Sequence, residues 1–190
     1  MRQTVRTFTA LEISPDIRAA ASRLIERLRV SGADVKWESP ERFHWTLNFL
    51  GEVAWDAIGE VCLAVSRAAA RVASFDLVAQ GVGAFPNLQR PRTVWLGVGE
   101  GSSGMVALHE ALNEELGRLG FRAEGRRFTP HLTLGRVRKS GGGLQELSRL
   151  IQQHADFHGG EMIVDEVVVF SSTLDRGGAT YSVLGRAELG

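Results

Sequence analysis

Cysteine is almost missing from this chain: Cys62 is the only one in 190 residues. An intramolecular disulfide is therefore excluded, and so is a metal site built on clustered thiolates. Cys62 lies in an apolar helical run, Val61-Cys62-Leu63-Ala64-Val65, which reads as a buried, inert thiol. Net charge is also missing, with 22 basic residues against 22 acidic ones, so no global field draws a polyanion to the surface. A local basic patch is compatible with that balance, and Arg122, Arg126, Arg127, Arg136, Arg138 and Lys139 crowd one stretch. No apolar run approaches the roughly 18 residues that span a bilayer. The opening Met1-Arg2-Gln3-Thr4-Val5-Arg6 leads into a strand pattern without the apolar region of a signal peptide, so the expected compartment is the cytoplasm, with no membrane partner. Gly81-Val82-Gly83 lacks the third glycine and the following helix of a dinucleotide-binding turn. His109, His154 and His158 lack metal-ligand spacing and read as surface or capping residues. No cofactor and no metal is expected.

What the chain does contain is a tetrapeptide written twice. His44-Trp45-Thr46-Leu47 and His131-Leu132-Thr133-Leu134 each run histidine, apolar residue, threonine, leucine. Side chains alternate between the faces of a strand, so each His shares a face with its Thr, and the apolar pair takes the other face. One face can enter a core while the other presents an imidazole and a hydroxyl to a cleft. Arg6-Thr7-Phe8 stands 38 residues before His44, and Arg92-Thr93-Val94 stands 39 before His131. Each half reads as strand, helical stretch, then His-x-Thr strand, at an offset of about 87 residues. Two copies are too few for a solenoid. They predict two similar lobes related by a pseudo-two-fold axis.

Between these landmarks the pattern predicts about eight strands and four helices. Ser14 is the expected N-cap of the first helix, with Pro15 at its first position and Ile17, Ala20, Ala21, Leu24, Ile25 and Leu28 on its buried face. Further helices are expected over 54–70, 105–119 and 144–154. Strands are expected over 4–13, 35–37, 43–50, 75–82, 93–98, 131–137, 162–170 and 181–189, with a hairpin turn at Asp175-Arg176-Gly177-Gly178. Ser140-Gly141-Gly142-Gly143 reads as a flexible loop. Short turns favour antiparallel pairing. The fold class is α+β: two pseudo-symmetric lobes, each a mostly antiparallel sheet with helices on the outer face, and an active-site cleft between the sheets. No linker divides the chain, which reads as one domain over 1–190.

Two imidazoles on opposite sides of a phosphorus suit acid–base work on a cyclic phosphodiester. One, neutral, takes a proton from attacking water; the other, protonated, gives one to the departing ribose oxygen. Histidine ionises near the pH at which both forms coexist. Threonine hydroxyls and a nearby guanidinium suit the charge that gathers on the non-bridging oxygens.

The paired motifs resemble the 2H phosphoesterase superfamily, named for its two histidines. The resemblance to its RNA 2′,3′-cyclic phosphodiesterase branch, also called 2′-5′ RNA ligase or LigT-like, covers almost the whole chain. It includes Arg6-x-Phe8-x-Ala10-Leu11, Phe85-Pro86 through Pro91-Arg92-x-x-Trp95-Leu96-Gly97, Phe128-Thr129-Pro130 before the second motif, and Ser172-x-Leu174 through Gly177-Gly178-x-x-Tyr181. The resemblance implies that His44 and His131 are catalytic, that Thr46, Thr133 and Arg136 contact the phosphate, and that the activity is metal-independent opening of RNA or nucleotide 2′,3′-cyclic phosphate ends to 2′-phosphomonoesters. Reverse 2′-5′ ligation follows by microscopic reversibility.

Strict alternation sets Arg136 on the face opposite His131, so the strand must twist or bulge near Gly135 for the guanidinium to arrive. Gly135, where the branch often has an apolar residue or alanine, and Trp45, in place of a more usual Leu or Ile, depart from the pattern. Phe8 reads as core packing with a nucleotide contact as its alternative, and Phe128 and Phe85 are open between a nucleotide contact and core packing. Trp37 and Trp95 read as core. The competing functions are a phosphodiesterase for a small cyclic nucleotide or ADP-ribose cyclic phosphate, and a non-catalytic RNA-end-binding module.

Overall fold

A computed structural model describes residues 3–123, 125, 127–139, 141–175 and 178–190. Among the described residues it contains β1 (Thr4–Leu11), α1 (Pro15–Arg29), β2 (Val35–Trp37), β3 (Trp45–Ala54), α2 (Ile58–Ala69), β4 (Phe75–Phe85), β5 (Thr93–Val98), α3 (Ser102–Arg118), β6 (His131–Val137), α4 (Leu144–Gln153), β7 (His158–Val164), β8 (Glu166–Asp175) and β9 (Gly178–Glu188). Arg176 and Gly177 of the expected hairpin turn, and Ser140 of the expected loop, lie outside the described residues. The strands run β7-β4-β5-β6-β3-β1-β8-β9, with β2 also pairing β6, and neighbours are antiparallel.

This order contains the two lobes, β3-β1-β8-β9 and β7-β4-β5-β6. They are joined edge to edge rather than kept as separate sheets, and the join is a single residue pair, Trp45 with Leu132. Those are the second residues of the two HxTL copies. An antiparallel pair between equivalent positions puts the pseudo-two-fold axis between them. Both side chains are fully buried, as are Leu47 and Leu134. A buried tryptophan contributes about 3–5 kcal/mol relative to alanine, so the apolar half of each motif fastens the lobes together.

The helices follow from local chemistry. Ser14 caps α1 by accepting the Ile17 N–H at 3.3 Å, and the six apolar residues expected on the inner face are buried. α2 begins at Ile58 rather than 54, because β3 continues pairing with β1 as far as Thr4–Ala54. The valine-rich strand expected over 162–170 is two strands separated at Asp165. β7 pairs with β4 in one lobe and β8 with β1 and β9 in the other, so the chain crosses between lobes there. Glu115 on α3 is buried and receives Arg67, Arg71 and Arg118, tying α3 to α2. A buried carboxylate requires such partners.

Candidate active site

Extending the Trp45–Leu132 register by one residue each way sets His44 opposite Thr133 and Thr46 opposite His131. All four side chains are half-buried while their alternating neighbours are buried, so they share the face turned away from the main core.

Beyond this crossing each motif strand carries a bulge at the same place. On β3 the register against β1 jumps from Ala10–Thr46 to Thr9–Asn48, leaving Leu47 extra. On β6 the register against β5 jumps from Trp95–Thr133 to Val94–Gly135, leaving Leu134 extra. A bulge shifts side-chain parity by one. It therefore returns Arg136 to the face of His131 and Thr133, resolving the conflict with strict alternation. By the same shift it returns Phe49, the counterpart of Arg136, to the face of His44 and Thr46.

Both histidines are fixed in the same way. His44 Nδ1 lies 2.7 Å from the Arg42 carbonyl, and His131 Nδ1 lies 2.7 Å from the Thr129 carbonyl, in each case two residues upstream. A carbonyl can only accept, so each Nδ1 carries the proton, and Nε2 is the basic nitrogen of each neutral ring. Each ring also has a phenylalanine 5.0 Å away: Phe8, tilted, at His44 and Phe85, edge-on, at His131. Burial pushes the His44 pKa down from its ordinary 6.5, against a smaller upward pull from the hydrogen bond to Arg42. His44 is therefore the ring biased toward the neutral, proton-accepting form.

Around His44 the sheet face is aromatic in one row and polar in the next. Phe49, Phe8, Phe170 and Val183 are successive cross-strand partners on β3, β1, β8 and β9, and Glu52, Arg6, Ser172 and Tyr181 form the neighbouring row. The Tyr181 ring stands edge-on to His44 at 5.1 Å. Its phenol pKa is raised by burial and by Glu38, with the charges of Arg42, Arg136 and Arg6 opposing. Tyr181 is thus a protonated donor at neutral pH, with Arg42, Arg136 and Arg6 near enough for their charges to act on it. Arg136 is exposed, and its Nη1 donates to Thr93 Oγ1 at 3.4 Å. In the other lobe Trp95 is half-buried and pairs with Thr133. Its ring lies against Gly83, where a Cβ would collide with the indole. Trp95 belongs to this face rather than to the core.

Several expected placements change. Phe8 is only 3% exposed, lying beneath His44, Phe170 and Tyr181; it supports the histidine and presents no open face to a nucleotide. The open ring is Phe49, 55% exposed and 6.0 Å from Phe8. Phe128 stacks one face on His109 at 4.1 Å and 9°, is partly packed on the core, and lines a groove over α3. His109 is not a surface residue but is buried under β3. Arg127 lines a groove over α3 with Glu110 and Thr129, and Arg126 lies outside the described residues. The arginines whose charges act on Tyr181 come from both halves, Arg6 and Arg42 from the first and Arg136 from the second.

Phe49 was within reach of the sequence, since adding the 87-residue offset pairs it with Arg136. Tyr181 stood within the family pattern with no role attached. Among the described residues, no group of three His, Cys, Asp or Glu side chains could hold a metal ion, and no helix is long and apolar enough to cross a membrane.

The family model for LigT-like phosphoesterases matches the chain twice, over residues 11–95 and 96–181. An RNA 2′,3′-cyclic phosphodiesterase of Thermotoga maritima is 37% identical over 180 residues, covering 95% of this chain and 93% of the relative. One from Methanothermobacter thermautotrophicus is 34% identical over 178 residues, covering 94% and 95%. Among solved structures, TT0787 of Thermus thermophilus superposes with a TM-score of 0.80 at 26% identity, covering 97% of each chain. Escherichia coli LigT complexed with 3′-AMP superposes with a TM-score of 0.74 at 25% identity, covering 98% of this chain and 99% of that one.

Proposed function

This chain belongs to the family of LigT-like phosphoesterases, and from that premise we propose that it is an RNA 2′,3′-cyclic phosphodiesterase working through His44 and His131. The observation that carries the reading is the single Trp45–Leu132 pair, which brings two imidazoles with matched Nδ1 tethers to one face. His44 Nε2 takes a proton from water as the water oxygen attacks phosphorus. The P–O3′ bond breaks, His131 Nε2 delivers a proton to the departing O3′, and a 2′-phosphomonoester remains. The burial that favours neutral His44 supports its role as base, and His131, whose tether is open to solvent, takes the acid role. Thr46, Thr133 and Arg136 face the non-bridging oxygens. With an RNA 5′-hydroxyl in place of water, His44 takes the hydroxyl proton as O5′ attacks phosphorus, the P–O3′ bond breaks, His131 protonates O3′, and a 2′-5′ linkage remains.

The two copies have diverged usefully. Where the second bulge returns an arginine to the cleft, the first returns an exposed phenylalanine. Arg136 suits a phosphate, and the face of Phe49 suits a base, since base–aromatic stacking contributes about 1–3 kcal/mol whatever the base. The whole chain serves as one domain of two duplicated lobes with the substrate between them.

Because the His44 pKa lies below 6.5, the acid limb of kcat/KM for a 2′,3′-cyclic mononucleotide is expected below pH 6.5. An acid limb above that value would show that His44 is not the base.

The function itself is tested with a 2′,3′-cyclic-phosphate-ended oligonucleotide and a 2′,3′-cyclic mononucleotide in excess EDTA. Turnover is expected to survive chelation, to favour the oligonucleotide, and to yield 2′-phosphate ends. Loss of turnover restored by a divalent ion contradicts the metal-free reading. Equal turnover of both substrates moves the assignment to a small-nucleotide phosphodiesterase. Binding without turnover moves it to an RNA-end-binding module.

A further inference from the structure

In the second half of the molecule the carbonyl of Leu134, the bulged leucine of HxTL, accepts the Glu38 N–H at 2.8 Å, just past the end of β2. The next residue is Gly135, and a Cβ there would stand 2.8 Å from the Trp37 ring of β2. The second motif is thus held by a neighbouring strand. In the first half, no strand among the described residues pairs with that side of β3 beyond Trp45. The equivalent carbonyl, that of Leu47, instead meets a side chain: His109 of α3, with Nδ1 at 3.0 Å. The residue equivalent to Gly135 is Asn48, whose side-chain amide bonds to Thr9 and Asn113.

The polar groups around His109 form one directed chain. Thr9 Oγ1 donates to Asn48 Oδ1 at 3.2 Å, and Asn48 Nδ2 donates to Asn113 Oδ1 at 2.7 Å. Asn113 Nδ2 then donates to His109 Nε2 at 2.9 Å. A nitrogen that accepts there leaves the ring proton on Nδ1, the atom facing the Leu47 carbonyl. On its flat face the His109 ring stacks on Phe128, three residues before His131 and one before the carbonyl that tethers it. One imidazole therefore touches the strand of His44 by a hydrogen bond and the approach to His131 by stacking.

We propose, building on the paired-histidine reading, that His109 is a positioning residue for the reaction: it stands in for the strand that the first half lacks and holds the two His-x-Thr segments in their catalytic relation. The requirement is strict, since a displacement of about 1 Å between reacting groups can cost about 100-fold in rate.

His109→Phe keeps a flat ring for Phe128 and removes both hydrogen bonds. His109→Asn restores an N–H near the Nδ1 position. His109→Phe is expected to lower kcat for a 2′,3′-cyclic mononucleotide by about 10- to 100-fold with KM changed less than about threefold. His109→Asn is expected to recover kcat to within about threefold of the parent. Long-range 15N–1H spectra of the imidazoles should show His44 losing its uniform Nδ1–H form in His109→Phe and keeping it in His109→Asn.

Unchanged kcat and unchanged His44 signals in His109→Phe would overturn the proposal, as would a kcat loss that only tracks the folded fraction. If His109→Phe does not fold, Asn113→Leu, which leaves the Leu47 bond but unfixes the tautomer, is expected to show the same kcat-selective loss at about three- to tenfold; no loss there overturns the proposal. A parent protein that turns over no cyclic phosphate would defeat the proposed function, and the His44 spectra alone would then decide the positioning role.

Discussion

Replacing His44 or His131 with alanine is expected to lower kcat on a 2′,3′-cyclic phosphate by about 10²–10⁴, the usual scale for losing a general acid or base. The size follows from the division of labour. Water is a poor nucleophile until its proton is taken, and an alkoxide is a poor leaving group until a proton is supplied. Neither task passes to a neighbour easily: Phe8, Phe85 and Phe170 around the two rings carry no proton to exchange, and Tyr181 beside His44, its phenol pKa raised by burial, is a poor base. Folding should persist, because both imidazoles are half-buried on the cleft side and the lobe junction rests on Trp45 and Leu132. The double variant should fall little below the weaker single one, since groups that act as a unit are not additive. A single variant with turnover within about threefold of the parent contradicts the scheme.

Arg136→Ala is expected to lower kcat by about 10²–10³, the scale for removing one donor to a developing oxyanion, while KM moves by less than about threefold. The bulge at Leu134 brings this side chain onto the face of His131 and Thr133, and its bond to Thr93 at 3.4 Å is long enough to yield to a stronger acceptor. Charge on the non-bridging oxygens grows from ground state to transition state, so the guanidinium contributes most at the barrier. Arg136→Lys should recover only part of the loss, because an ammonium keeps the charge but not the planar fork. A variant that raises KM alone would make Arg136 a binding residue. Steady-state kinetics on a cyclic mononucleotide separate the two cases.

The alternation in the HxTL copies carried much of this in plain view. His44, Thr46, His131 and Thr133 lie on one face and their apolar partners in the core because strand periodicity requires it. The bulge beside Gly135 followed from the parity conflict that the family resemblance raised for Arg136, whereas its counterpart at Leu47 was not legible, since it depends on how β3 meets β1 rather than on composition. The division at Asp165 was hidden by a valine-rich run that reads as a single strand. How deep Phe8 lies is a tertiary property that no pattern in the sequence gives: His44, Phe170 and Tyr181 close over it. His109 lies on the buried stripe of α3 between Met105 and Leu112, and a polar residue on such a stripe is the signal that it makes specific bonds inside.

The central claim is that one histidine accepts and the other donates a proton across a single cyclic phosphate. The pH dependence of kcat/KM, measured for the parent, His44→Ala and His131→Ala on one 2′,3′-cyclic mononucleotide, tests it most directly. A bell is expected for the parent, loss of the acid limb alone in His44→Ala, and loss of the alkaline limb alone in His131→Ala. Two limbs surviving in either variant would contradict it.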